Sequence, residues 1–290
     1  MDIQWPLLVF GVLAGLSMGC LGFVCAFILA GKAESLRMPG VVIALAAIAA
    51  GGLASAFHLG NPDRILYILG NLQSGITQEL LATAVAGVLI VALCIALVKK
   101  ASPAVLKTLA VLGLIAAIAL PFITGEAYVQ GARPAWNTLF LPIMYVGAAF
   151  AMGALTMTAL SRIKHVDDAD RTLIGRASFV AAIICTVTVV LYVSAVALAP
   201  YPDPSRSIDR LLSGDLALLF WGAAVALGLI VPLALTAMQA FGKQPQAKGG
   251  TAVLSRPSVL FVGLVCLVAG SVAIRSIMYL LGSSVQSFIY

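Results

Sequence analysis

Eight long apolar runs limit what this chain can fold into. A bilayer core is about 30 Å thick, which an α-helix of about 20 residues spans. Runs of that length, separated by Gly, Pro and charged residues, lie near 5–31, 39–59, 76–98, 104–126, 137–161, 174–199, 214–240 and 254–282. Only 10% of the residues are charged, against about 25% in soluble domains, so little of the chain is left for a soluble domain.

This pattern predicts an all-α integral membrane protein with eight transmembrane helices in a single polytopic domain, residues 1–290. A transmembrane β-barrel would instead show alternating segments of about ten residues. The net charge of +6 does not indicate a nucleic-acid partner, because no solvated domain is available to carry it.

The basic residues predict how the chain is oriented in the membrane. Cytoplasmic loops carry an excess of Lys and Arg. Twelve basic residues follow the odd-numbered spans and four lie on the opposite face, which puts both termini on the periplasmic or extracellular side. The twelve are Lys32, Arg37, Lys99, Lys100, Lys107, Arg162, Lys164, Arg171, Arg176, Lys243, Lys248 and Arg256; the four are Arg64, Arg133, Arg206 and Arg210.

Cysteine and histidine usage argues against a metal centre within the chain. The five cysteines stand singly, without a Cys-x-x-Cys pair, so no iron–sulfur cluster or zinc site is expected. His58 and His165 are the only histidines, and the predicted topology puts them on opposite sides of the membrane. They cannot both bind one haem iron, and His165 is expected to be a solvated loop residue.

Small and aromatic residues in the spans have structural explanations. Gly11, Gly15 and Gly19 recur at four-residue spacing, which lets another helix approach closely. Three tryptophans fall near predicted span ends, where an interfacial aromatic belt would put them: Trp5, Trp136 and Trp221.

Polar residues collect at one end of the predicted bundle. Ionisable groups at membrane depth are costly and usually functional. By the predicted topology, the outward ends of the spans carry His58, Asp63, Arg64, Gln78, Glu79, Glu126, Arg133 and Asp215. Asp63 and Arg64 are expected to form an ion pair within a loop or to contact a docked partner subunit. The outer loop that contains Arg133 is also a candidate docking surface for such a subunit. Asp215 suits a helix start, where the dipole favours a carboxylate.

Arg275 lies inside the eighth span, about 10 Å from its outer end at about 1.5 Å per residue. Ser271, Arg275 and Tyr279 are four residues apart and share one helix face. An arginine at the bilayer centre costs about 2.5–3.5 kcal/mol on the insertion scale, so we expect a carboxylate, Glu79 or Glu126, to compensate it.

These residues suggest a quinol pocket near the outer leaflet. Quinol oxidation releases two protons and two electrons, so a proton acceptor must lie within hydrogen-bond reach of each hydroxyl. Glu79 and His58 are the candidate acceptors, and Gln78, Arg275 and Tyr279 are further candidates for quinol binding. The alternative from the same residues is structural: His58 ends span two, Glu79 belongs to the first turn of span three, and Arg275 forms an ion pair.

Several motifs together resemble the membrane anchor subunit of the dimethyl sulfoxide reductase family. They are Trp5-Pro6-Leu7, His58-Leu59-Gly60-x-Pro62-x-Arg64, Glu79 at the head of span three, Lys99-Lys100-x-Ser102-Pro103-Ala104, Pro134-Ala135-Trp136 and Arg275-x-x-x-Tyr279-x-Leu281. The resemblance implies a haem-free, eight-helix anchor in the bacterial inner membrane. It implies menaquinol oxidation, with His58 and Glu79 as the implicated histidine and glutamate.

The resemblance also implies partners. Electrons would pass to an iron–sulfur subunit with four [4Fe-4S] clusters and then to a catalytic subunit with a molybdenum bis-pterin cofactor. Two alternatives from other classes stay open on the sequence. One is a secondary transporter, although no internal repeat or midplane polar site is visible. The other is a purely structural anchor without a quinol site.

Overall fold

The computed structural model describes residues 3–57, 70–199, 202–241 and 256–282. All regular structure in these ranges is helical, and eight helices are long and apolar enough to cross a membrane, which confirms the predicted fold class. The helices are α1 Trp5–Ala30, α2 Glu34–Ala56, α3 Gly75–Val98, α4 Pro103–Glu126, α5 Phe140–Leu160, α6 Asp168–Leu198, α7 Pro202–Leu212, α8 Leu219–Phe241 and α9 Pro257–Leu281.

Two helices begin earlier than their apolar runs, and one helix was not predicted. α2 starts at Glu34 and takes Pro39 into its early turns, where a missing N–H removes one hydrogen bond without ending the helix. α6 starts at Asp168, so its first turns are polar. The proline-rich break after α6 contains the short helix α7, because proline is tolerated in the first turn of a helix.

α1 and α5 form the centre of the bundle. α1 packs against α2, α4 and α5, while α5 also contacts α4, α6 and α9. Their closest approach is at Gly19 and Gly153, where a side chain on either residue would overlap the backbone of the other helix. The predicted packing role of the glycine repeat therefore holds at Gly19. Gly11 differs, because it faces the side chains of Arg275 and Tyr145 instead of a neighbouring backbone.

The first half of α8, Leu219–Ile230, is π-helical, and Val231–Phe241 continues as an α-helix. The Val231 N–H accordingly bonds to the carbonyl of Ala226, five residues back. π-Helical turns are rare and occur often at functional sites. This wide segment packs against α9, with Gly228 and Gly270 in backbone contact.

The loops after α1 and α5 meet at one end of the bundle. Asp170, at the start of α6, accepts a 2.8 Å hydrogen bond from the Ala33 N–H. It also forms a 3.2 Å ion pair with Lys32. Ser35 donates to the carbonyl of His165, whose side chain is exposed, as expected of a loop residue. The candidate site lies at the other end, where α3 begins and α4 and α9 end.

Candidate functional site

A polar stripe on α9 forms the centre of the site. Ser271, Arg275 and Tyr279 are each no more than 4% exposed, so the shared face points into the bundle. The Arg275 guanidinium donates to the Ser271 side chain and contacts the Gly11 carbonyl at 3.5 Å. Its central carbon lies 4.1 Å from the centre of the Tyr145 ring. The Arg275 Nε is buried without a hydrogen-bond acceptor in the part of the chain that the structure describes.

The expected carboxylate partner of Arg275 is absent from the described ranges. No Asp or Glu oxygen there lies within 4.0 Å of its guanidinium nitrogens. Glu126 is exposed at the end of α4, and neither Glu126 nor Glu79 forms an ion pair with Arg275, so the expected compensation by a paired carboxylate was wrong. The cation is instead held by a serine, backbone carbonyls and the negative face of an aromatic ring, which together replace much of its hydration.

Glu79 lies in the first turns of α3, partly buried. Thr124 on α4 is its polar neighbour, and the Thr124 hydroxyl is buried without a hydrogen-bond partner among the described residues. The charge of Glu79 acts on Tyr128, Tyr145 and Tyr279, and Arg275 acts on the last two. Tyr145 and Tyr279 thus lie within electrostatic range of both charged residues. We call the group Glu79, Thr124, Tyr128, Tyr145, Arg275 and Tyr279 the polar cluster.

Four aromatic side chains enclose this end of α9. The rings of Tyr128 and Trp136 meet edge to face at 5.6 Å, and each meets Tyr279 in the same way, at 5.7 and 6.0 Å. Tyr145 lies 6.3 Å from Tyr128. The hydroxyl oxygens of Tyr128 and Tyr279 are 2.7 Å apart and share a hydrogen bond. Sequence reasoning missed Tyr128 and Tyr145, which no motif or spacing marked.

Trp136 does not belong to an interfacial belt. It is only 2% exposed, and its indole N–H donates to the Met278 carbonyl at 2.7 Å. Trp5 and Trp221 are both more than half exposed, as the belt would require. The prediction was wrong for Trp136 because the loop after α4, residues 127–139, folds inward against α9.

Donors from outside α9 satisfy the carbonyls of its last turn. Besides Trp136, Arg133 donates to the Gly282 carbonyl at 2.7 Å, and Arg210 donates to the Leu280 carbonyl at 3.2 Å. The last carbonyls of a helix have no partner within it, and cations are favourable there. The turn that carries Tyr279 is therefore fixed by side chains from two other segments.

The remaining predicted residues are dispersed. Gln78 is exposed, and its amide reaches the Leu72 carbonyl at 3.5 Å. Asp215 forms a two-point ion pair with Arg210, at 2.9 and 2.8 Å, so a partner charge holds it in addition to any helix dipole. That pair lowers the pKa of the exposed Asp215 carboxyl. His58, Asp63 and Arg64 lie outside the described residues.

A small cavity borders Arg275, and neither Glu79 nor Thr124 lines it. Its volume is about 20 Å³, and its lining includes Ser271, Cys185 and the π-helical part of α8. That is room for about one water molecule, whereas ligand pockets usually measure about 300–1,000 Å³. No group of three or more potential metal ligands occurs among residues 3–57, 70–199, 202–241 and 256–282.

Fold and site together define a multi-pass membrane protein with buried ionisable groups near one end of its bundle. A family model described as "DMSO reductase anchor subunit (DmsC)" matches residues 1–281, and the chain belongs to this family. It is thus the membrane anchor of a DMSO reductase-type oxidoreductase complex, associated with catalytic and iron–sulfur subunits. No curated protein matches the sequence individually.

Proposed function

We propose that this chain oxidises menaquinol at the polar cluster and passes the electrons to the iron–sulfur subunit of its complex. The observation that carries the proposal is a partly buried carboxyl group, Glu79, at the end of the bundle that also buries the Tyr279 hydroxyl and the Arg275 guanidinium, in a chain of the DMSO reductase anchor family. Such a cluster supplies a proton acceptor and hydrogen-bonding groups within a membrane interior, and a quinol needs both to react.

Glu79 is the principal proton acceptor in this proposal. As a carboxylate it takes a proton from one quinol hydroxyl while the electrons leave towards the partner subunit. His58, Gln78 and Tyr279 bind the quinol head group, and His58 is the second candidate for accepting a proton. The small cavity beside Arg275 is not the quinol pocket, since a quinone ring does not fit in about 20 Å³.

Arg275 sets the electrostatic potential of the site. A fixed cation in a poorly solvated region stabilises negative charge nearby far more than it would in water. In this role it favours the ionised form of Glu79 and negative charge developing on a quinol oxygen. It acts through space, because no carboxylate in the described ranges pairs with it directly.

The proposed setting follows from the basic loop residues and the family. Both termini lie on the periplasmic side of a bacterial inner membrane, and the iron–sulfur subunit docks at the face that holds the polar cluster. Asp63, Arg64 and Arg133 contribute to this docking surface. The four [4Fe-4S] clusters and the molybdenum bis-pterin cofactor belong to the partner subunits.

Glu79→Gln in the intact complex tests the proposal. The amide keeps the size of the side chain but is a poor proton acceptor, so menaquinol-dependent turnover should fall by about 100-fold or more. Turnover with an artificial donor that reduces the partner subunits directly should persist. Glu126→Gln is the matched control, because Glu126 is an exposed carboxyl at the same end.

Intact quinol-dependent turnover in Glu79→Gln would remove Glu79 from the mechanism. Quinone extraction from the purified complex separates the remaining alternatives. A complex that retains no quinone and binds no quinol analogue would be a purely structural anchor. A chain that catalyses solute flux without its partners would be a transporter.

A further inference from the structure

Tyr128 and Tyr279 form a hydrogen bond through their hydroxyl groups. The proposed quinol site uses Tyr279 but gives this hydrogen bond no role. Tyr279 is 1% exposed on α9, while Tyr128 is half-buried in the loop just after α4. Their oxygens are 2.7 Å apart, a normal distance for a strong O–H···O hydrogen bond. The pair therefore runs from the interior of the bundle to a loop at its end.

We propose that Tyr279 and Tyr128 form a proton-exit relay that carries protons from Glu79 to the aqueous surface beside the α4–α5 loop. The inference rests on the proposed function, since it needs Glu79 to be loaded with a proton from the quinol. It assigns a task to Tyr128, which composition and motif spacing leave unmarked, and a second task to Tyr279.

Three observations support the relay. Glu79 lies one helical turn after Gly75 on α3, on the same face of the helix. The start of α3 contacts the loop directly, since a side chain on Gly75 would lie 3.1 Å from Ala127. The position of both rings is fixed by edge-to-face contacts with each other and with Trp136, so the hydroxyls are held in place without their own hydrogen bond. The hydroxyl groups are thus not required for packing.

The step conserves protons and involves no electrons. The carboxylic acid of Glu79 gives its proton to the Tyr279 oxygen through one bridging water molecule, because no direct hydrogen bond joins the two residues in the described ranges. The Tyr279 hydroxyl proton passes at the same time to the Tyr128 oxygen. The Tyr128 proton passes to water at the loop, and Glu79 returns to the carboxylate form. Rotation of the two hydroxyls restores the starting arrangement. Neither phenol has to exist as a free phenolate, which burial of Tyr128 disfavours by raising its pKa.

Tyr279→Phe and Tyr128→Phe test the relay in the intact complex. Each change removes one oxygen and keeps the ring. We expect menaquinol-dependent turnover to fall about 10- to 100-fold, with a larger solvent deuterium isotope effect. Turnover with an artificial donor should stay at the wild-type value in both variants. In Tyr128→Phe, which changes no proposed quinol ligand, the affinity for a quinol-analogue inhibitor should stay at the wild-type value as well. Tyr192→Phe is the control, because this buried tyrosine donates to the Ala135 carbonyl and lies outside the hydroxyl pair.

The double variant gives a second measurement. In a serial relay either break stops transfer, so Tyr128→Phe/Tyr279→Phe should be no slower than the slower single variant. Multiplying effects would show two independent roles and overturn the relay. Unchanged turnover in both single variants would overturn it as well, and so would a loss of inhibitor affinity in Tyr128→Phe in step with its loss of turnover.

Comparison with Glu79→Gln separates this inference from the proposed function. If Glu79→Gln loses menaquinol-dependent turnover while both tyrosine variants keep it, the relay is refuted and the proposed quinol site is retained. An active Glu79→Gln complex refutes the proposed site itself, and the relay with it.

Discussion

The guanidinium of Arg275 lies over the ring of Tyr145, with its central carbon 4.1 Å from the ring centre. Both side chains are almost fully buried, and no carboxylate in the described ranges pairs with the cation. The π face of Tyr145 therefore takes over part of the stabilisation that an ion pair would provide. A desolvated cation–π contact contributes about 2 kcal/mol.

Two substitutions of Tyr145 distinguish the contribution of its ring to stability from the contribution of its hydroxyl. Tyr145→Leu should lower the free energy of unfolding by about 2 kcal/mol more than Tyr145→Phe, because phenylalanine keeps the face beneath Arg275. The hydroxyl of Tyr145 only makes a 3.7 Å contact with the Met278 sulfur. Unfolding of the detergent-solubilised chain measures the difference. Equal stability of the two variants would show that the ring does not hold the cation.

The glycine pair at the α1–α5 contact predicts a sharp contrast between two alanine substitutions. Gly19→Ala puts a methyl group into the carbonyl oxygen of Ala149 and beside the Gly153 nitrogen, which no rotamer change can relieve. The cost should reach about 1–3 kcal/mol or more, with loss of folded protein in the membrane. Gly11→Ala meets nothing nearer than the Arg275 Nε at 3.6 Å and should fold normally. Similar yields for both variants would contradict the close contact.

Arg133 has a structural role that exists without any partner subunit. Arg133→Ala removes its hydrogen bond to the Gly282 carbonyl and its contact with the Trp136 ring, so the isolated chain should lose about 1–2 kcal/mol of stability. Thermal unfolding measures this, and the exposed Arg176, changed to Ala, serves as the control. A variant with wild-type stability that no longer retains the iron–sulfur subunit would instead show that Arg133 acts only in docking.

The Asp215–Arg210 pair predicts a dependence on pH. The bound guanidinium lowers the pKa of the Asp215 carboxyl below its ordinary value, near 3.9 in unfolded chains. The pair therefore stabilises the folded chain fully above that value and loses its effect as the pH falls through the lowered pKa. The stability difference between the wild type and Asp215→Asn should be constant from pH 8 to about pH 5 and shrink below about pH 4. A constant difference down to pH 3 would show that the charge of Asp215 is not involved.

Hydropathy and helical spacing predicted much of the fold. Runs of about 20 apolar residues can satisfy their backbone in lipid only as helices, so the number of spans was available from the sequence. The common face of Ser271, Arg275 and Tyr279 follows from the 3.6-residue repeat. The π-helical start of α8 was not predictable in this way, because Leu219–Ile230 is uniformly apolar and carries no mark of wider turns.

The candidate site was only partly predictable for a different reason. Glu79 and Arg275 attract notice because charge is costly in a membrane, and that argument looks for an opposite charge. Tyr145 and the Gly11 carbonyl compensate Arg275 without any net charge, so residue types alone do not reveal them. Tyr128 and Trp136 join the site through the path of the α4–α5 loop, which depends on tertiary packing and leaves no local pattern.

The hydrogen bonds from Trp136 and Arg133 to the end of α9 make the α4–α5 loop and the polar cluster one mechanical unit. A force applied to this loop is transmitted through two short bonds to the turn that carries Tyr279, one turn beyond Arg275. A protein that binds this loop can thereby change the spacing between Tyr279 and Arg275 without entering the bilayer.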